Sequence, residues 1–237
     1  MRYFVCLESD TNGASLAHVQ GLPGCYARAA DERAALEQLL DAIPAYWDWL
    51  RGHGVRTPGP NDVGEVTLAV VEIVRDCAPG AQPLFQYETQ PISRQSVGVC
   101  LERLAYSRHD LLAALAQLPA AALGPESAWG GRLVTQAANE RWYTRLLGPS
   151  NRLESSRTPL ERLVHVREAA VRQIDSLPDA AYGRVWTRGG ERWSLHKILR
   201  RMIEAEREQV AGLAGGQPVE KAANPVDNCG ENVDNCG

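Results

Sequence analysis

Two cysteines close to the C-terminal end, Cys229 and Cys236, stand in identical surroundings, because Val226-Asp227-Asn228-Cys229-Gly230 recurs as Val233-Asp234-Asn235-Cys236-Gly237. Glycine after each cysteine leaves the thiol and the next amide unhindered, and Asp, Asn and Cys are side chains that modifying chemistry acts on. Such a repeat offers one small apolar residue per copy and cannot pack a core. Four chemistries fit it. The repeat is a substrate for a second protein; it chelates a soft ion such as Cu(I) or Zn²⁺ through two thiolates; it closes a disulfide loop or senses redox state; or it is an appended or duplicated segment without function. Chelation is the weaker fit, since the adjacent carboxylates raise the thiol pKa values and the spacing is not Cys-x-x-Cys.

The elements that would carry this tail come from the rest of the chain. Its 237 residues, 44% of them hydrophobic, suffice for two domains plus a tail. A formal charge of −4 gives no reason to expect nucleic-acid binding. No apolar run approaches the ~20 residues of a membrane span, and the start Met1-Arg2-Tyr3-Phe4-Val5-Cys6-Leu7 runs into Glu8 and Asp10 without the pattern of a signal peptide. A cytoplasmic protein is the expectation, and in a reducing compartment Cys6, Cys25, Cys77 and Cys100 read as small core residues.

Residues 1–75 form a first domain of α+β type. Residues 2 to 7 and Ser15 to Val19 alternate as strands, and Gly21-Leu22-Pro23-Gly24-Cys25 makes a corner. Asp31 caps a helix whose Leu36, Leu39, Leu40, Ile43, Trp47 and Leu50 share a face, with a kink or break expected at Pro44. The run Val66 to Val74 reads as a last, more buried strand. The Leu-Pro-Gly-Cys corner, Asp31, the Ala/Leu-rich helix and Gly54 followed by Pro58 and Pro60 resemble the HicB-like antitoxin family. That resemblance implies a β-β-β-α-β layer that binds a small toxin. The DNA-binding segment usual in those antitoxins has no counterpart here, since no basic recognition helix is present. His18, in the second strand, reads as a structural histidine.

Residues 76–91, rich in Pro, Gly and Gln, read as a linker. Residues 92–214 are all-α. Leu101, Leu104, Arg108, Leu111, Leu112, Leu115 and Leu118 mark a helix ended by Pro119; Leu133 to Leu147 a second; Thr158-Pro159-Leu160-Glu161 opens a third with a capping box; Ser194 caps a fourth. Four helices make a bundle. Asn139-Glu140-Arg141-Trp142-Tyr143 together with Trp193-Ser194-Leu195-His196-Lys197-Ile198-Leu199 is similar to the DinB-like (YfiT-like) superfamily. That likeness implies a divalent metal on three histidines, thiol-dependent transfer chemistry in some members, and dimerisation through the bundle. The positions matching the ligands are Thr135, Arg201 and Ala205, which form a degenerate site. His109, His165 and His196 lie on three different helices, so no metal or other cofactor is expected. Trp142, Tyr143, Trp186 and Trp193 read as core aromatic residues.

From Ala214 on, residues 215–237 form a flexible, disordered tail. Short repeated Cys-Gly cores behind a folded, non-catalytic body resemble precursors of ribosomally synthesised, post-translationally modified peptides. The resemblance implies a folded leader whose Asp227, Asn228, Cys229, Gly230, Asp234, Asn235, Cys236 and Gly237 meet a modifying enzyme. The competing expectations are a DinB-like metal- or thiol-dependent transferase, a HicB-like toxin-binding module, and a tail that holds copper or zinc.

Overall fold

The computed structural model describes residues 1–59, 65–78, 81, 83–148 and 158–214, which fall into an α+β unit, Met1–Tyr87, and a helical unit that begins at Glu88. The tail expected to be disordered, with its repeat, lies outside the described residues.

In the first unit, strands β1 (Arg2–Asp10), β2 (Ser15–Val19), β3 (Tyr26–Ala29) and β4 (Thr67–Cys77) form one sheet in the order β3-β2-β1-β4. Neighbours pair antiparallel except β1 and β4, which run parallel with register shifts at Val5/Cys6 and Glu8/Asp10. Helix α1 (Glu32–Gly52) starts where Asp31 accepts a 2.8 Å bond from the Ala34 N–H. Its buried stripe of Ala35, Leu39, Ile43, Tyr46 and Leu50 packs toward β2 and β3.

Two expectations for this unit change. Pro44 lies inside a single helix and does not divide it. The stripe continues on both sides of the proline, and its Tyr46 hydroxyl donates 3.0 Å to the Pro23 carbonyl, so packing outweighs the one lost backbone bond. Strand β4 is not the buried strand its mostly apolar run suggested: none of its eleven residues is buried. It is one of the two outer strands of the sheet, and α1 packs toward the opposite end, on β2 and β3.

The second unit contains α2 (Arg94–Leu115), α3 (Ala128–Leu147), α4 (Pro159–Asp175) and α5 (Leu195–Ala214), with a hairpin of β5 (Val185–Arg188) and β6 (Glu191–Ser194) leading into α5. Both bonds of the expected capping box form between Thr158 and Glu161, at 3.0 and 3.3 Å. Ser194 accepts the Lys197 N–H at 3.2 Å, as expected of a cap. The hairpin was not anticipated. Its two-residue turn is Gly189-Gly190, both at positive φ (61° and 81°), which such a turn requires and glycine alone adopts without strain. Within the segment read as a linker, Phe85 is buried in the first unit and Glu88 in the second, on a turn of 3₁₀ helix at Gln86–Thr89.

Candidate functional site

The apolar interior of the helical unit is divided in two. Cys100, Leu104, Tyr143, Leu146, Ala170, Ile174, Ile198 and Met202 belong to one cluster, and Leu111, Leu115, Leu133, Ala137, Leu163 and Val166 to the other. Between them each helix contributes one buried charged residue: Arg108 from α2, Glu140 from α3, Arg167 from α4 and Glu206 from α5. Along every helix that residue sits at the core-facing spacing between the two clusters, so the four meet in one layer.

Arg167 donates through Nε and Nη2 to both oxygens of Glu140, at 3.0 and 2.6 Å, and through Nη1 to Glu206 at 3.0 Å. Arg108 donates to Glu206 through Nε and to Glu140 through Nη2, the latter at 2.8 Å. The remaining donors go to main-chain carbonyls, Arg108 to Leu163 and Arg167 to Leu104, at 2.8 and 3.0 Å. Ser107 donates to Glu206 at 2.7 Å and Gln136 to Glu140 at 3.3 Å. Two cations and two anions make the layer neutral, and each guanidinium fork bridges helices.

Burial acts to raise the Glu140 carboxyl, but Arg167 and then Arg108 outweigh it and hold the group below the ordinary carboxylate range. Arg167 is held more firmly protonated than usual: burial opposes its charge, and Glu140 and Glu206 more than compensate. A carboxylate with a depressed pKa and lone pairs filled by fixed donors is a poor general base and a poor metal ligand. The layer's chemistry is cohesion and register.

At one end of the helices a second group of polar residues clasps the hairpin. The Lys197 ammonium is buried 3.8 Å over the Trp193 ring, donates 2.8 Å to the Arg192 carbonyl and lies 3.5 Å from Glu191. Burial pushes its pKa down to about 8, Glu191 opposing and Arg200 assisting. Trp193 meets Trp142 edge-on at 4.9 Å and Tyr143 at 5.3 Å, so these aromatic residues are core, as expected, while Trp186 lies across the hairpin from Trp193, half-buried. Arg200 grips buried Glu88 through both oxygens, at 2.6 and 3.2 Å.

The first unit places its corner with equal definition. The Val19 N–H donates 3.0 Å to the Cys25 carbonyl, Gly21 and Gly24 take positive φ (80° and 90°), and the buried Cys25 closes the turn under α1. This corner, the four-strand order and the single covering helix frame the comparison with known proteins. UPF0150 protein Ta0767 of Thermoplasma acidophilum is 33% identical over 68 residues, which span 97% of that protein and 29% of this chain. The chain belongs to the UPF0150 family. Its membership rests on the N-terminal HicB-like domain, so the helical unit and the tail have no counterpart in that relative. No protein-family model matches the chain, and no solved structure does.

Within the UPF0150 domain His18 is buried, 3.7 Å from Glu8 and edge-on to Phe85 at 5.5 Å. In the helical unit Thr135 is half-buried on α3, and Arg201 and Ala205 are half-buried on α5. These positions do not fit the divalent ion that the DinB-like resemblance implies: Ala205 has no donor, and Arg201 brings a guanidinium engaged with Glu204 at 3.4 Å. Among the described residues no group of three or more His, Cys, Asp or Glu is arranged to hold a metal ion. His109 is exposed on α2, and His165 and His196 are half-buried on α4 and α5. Asp227, Asn228, Cys229, Gly230, Asp234, Asn235, Cys236 and Gly237 lie outside the described residues. The charged layer went unread in the sequence, where Arg108 alone of the four was placed on a helix stripe; its signal was one charge at a core position on each of four helices.

Proposed function

We propose that the chain is a non-enzymatic carrier, a folded leader of HicB-like and DinB-like parts that presents the C-terminal Val-Asp-Asn-Cys-Gly repeat to a modifying enzyme. The observation that carries this reading is the occupied interior of the helical unit: Glu140 and Glu206, the carboxylates best placed for bundle chemistry, are bound by Arg108 and Arg167. The reactive groups left to the chain are then the repeated thiols of Cys229 and Cys236, with Asp227, Asn228, Asp234 and Asn235 beside them. Duplication is useful in a substrate, since each copy is processed separately. The test is intact-mass spectrometry of the protein made together with its genomic neighbours. The expected result is a mass change confined to the C-terminal peptide, halved in Cys229→Ala; an unmodified peptide with two free thiols would sink the reading.

Membership of the UPF0150 family favours a second reading, compatible with the first, in which the HicB-like domain docks a small protein. Affinity capture with the full chain is expected to retain a small partner that a chain lacking residues 1–75 does not retain. Equal recovery by both chains would remove the docking role.

A further inference from the structure

Exposed arginines elsewhere in the chain are answered by carboxylates, Arg33 by Glu37, Arg94 by Asp179 and Arg172 by Glu168. The β5–β6 hairpin departs from that pattern. Arg184, Arg188 and Arg192 are all exposed, and among the described residues none of the three guanidiniums has a carboxylate partner. The acid of the hairpin itself, Glu191, stands opposite Arg188 in the register but lies 3.5 Å from the buried Lys197. Two of the arginines are held by aromatic rings instead, Arg184 over Trp186 at 5.7 Å and Arg188 over Trp142 at 6.0 Å. A ring face orients a guanidinium without neutralising it, so the hairpin presents positioned and uncompensated positive charge. Arg188 and Arg192 flank a tip of Gly189-Gly190, where no side chain stands between them.

We propose that this hairpin is the docking site for the acidic end of the same chain, residues 226–237, which lie outside the described residues. Three observations select that occupant. The first is charge: the stretch contains Asp227, Glu231 and Asp234 and no Lys or Arg. The second is reach. The hairpin runs directly into α5, whose 20 residues make a helix ~30 Å long ending at Ala214. Residues 215–225 span at most about 36–40 Å when extended, enough to return along α5 to the base of the hairpin. The third is spacing. Arg184 stands at that base and Arg188 four residues on toward the tip, ~13 Å along a strand. Asp227 and Glu231 are also four residues apart, so an extended segment arriving at the base sets Asp227 by Arg184 and Glu231 by Arg188. Asp234 then follows toward the tip and Arg192. A nucleic acid would also suit arginines and indoles, but the −4 charge of the chain repels a polyanion at long range.

The test needs no modifying enzyme, so this proposal and the carrier reading fail separately. Cys6, Cys25 and Cys100 are buried, and in a full-length Cys77→Ser background a nitroxide reagent is directed to Cys229 and Cys236. At low salt the amide NMR signals of Val185 to Trp193 are expected to lose most of their intensity to the label. They are expected to recover at ~1 M salt, where the screening length falls to about 3 Å. The same recovery is expected in Arg184→Gln/Arg188→Gln/Arg192→Gln and in Asp227→Asn/Glu231→Gln/Asp234→Asn. The second of these leaves the hairpin sequence untouched and decides the matter even if the arginine variant misfolds. Hairpin signals that ignore the label at low salt overturn the proposal, and if they shift with a short single-stranded oligonucleotide the arginines belong to nucleic acid. Signal loss that neither salt nor charge removal relieves also overturns it. Nitroxide protein mixed with isotope-labelled protein that lacks the nitroxide is expected to leave the hairpin signals intact; their loss there overturns the intramolecular contact and moves the tail onto a second copy.

Discussion

Arg167→Met is expected to cost the helical unit about 3–5 kcal/mol, the usual penalty for leaving buried charge without its partner. Arg167 is the member of the layer that holds both oxygens of Glu140 and one of Glu206. Without it two buried carboxylates share the single guanidinium of Arg108, and a net negative charge remains between two apolar clusters. The pH dependence separates this cause from a simple packing defect. In the wild type the Glu140 carboxyl sits below its unfolded value despite burial. Its stabilisation is therefore complete above the ordinary carboxylate range and is lost as pH falls through the lower, folded value. In the variant the stronger of the two cationic partners is gone and Arg108 is divided between two carboxylates, so burial dominates and raises the folded carboxyl above the unfolded one. Its contribution is then present at acid pH and lost as pH rises. Urea unfolding at pH 5 and pH 7 is expected to show a wild type of nearly constant stability and a variant more stable at pH 5. Parallel behaviour of the two proteins would show that the layer is not electrostatically coupled. Replacing Arg108, Glu140, Arg167 and Glu206 together by apolar residues of similar volume is expected to be far milder than Arg167→Met alone, because no charge is left unpaired.

Apolar spacing made the helices of the second unit legible in the sequence, and local chemistry made their ends so: Thr158 with Glu161 and Ser194 bond as their types demand. Long-range partnership was not legible. Arg108 was visible at a core position of its helix, but nothing local shows that Glu206, 98 residues away, stands opposite it. The same limit explains β4. A mostly apolar run fits a strand covered on both sides and an outer strand equally well, and only the sheet order, with α1 over β2 and β3, decides between them. The β5–β6 hairpin was missed although Gly189-Gly190 announces it, because a four-residue strand on either side is too short for alternation to register. The corner at Gly21 to Cys25 was legible because its glycines admit positive φ and its proline fixes φ whatever surrounds them. On the functional side, the placement of Thr135, Arg201 and Ala205 follows from the helix pattern, whereas what occupies the bundle interior required the packing of four helices at once.

Lys197→Met is expected to abolish a rise in stability at alkaline pH that the wild type shows. The Lys197 ammonium is buried, and the loss of solvent pulls its pKa from 10.5 to about 8 even though Glu191 favours the charge. Between those two values the unfolded chain binds a proton that the folded chain has released. Stability therefore climbs as pH rises through this window, by about 3 kcal/mol at 1.36 kcal/mol per pKa unit. Below pH 8 both states carry the proton and the curve is flat. Tyrosines and thiols titrate in the same window, but they are common to both proteins, so the difference between the two pH profiles isolates Lys197. Urea unfolding at several pH values from 8 to 10.5 gives that difference, and parallel profiles would refute the assignment. The charge is retained at neutral pH because of what it touches: the Trp193 face at 3.8 Å and the Arg192 carbonyl at 2.8 Å both belong to the end of the hairpin. In Lys197→Met those two attachments are gone while the aromatic packing of Trp193 on Trp142 and Tyr143 remains. The hairpin amides are accordingly expected to exchange faster in the variant at pH 7, although the stability of the four helices changes little there.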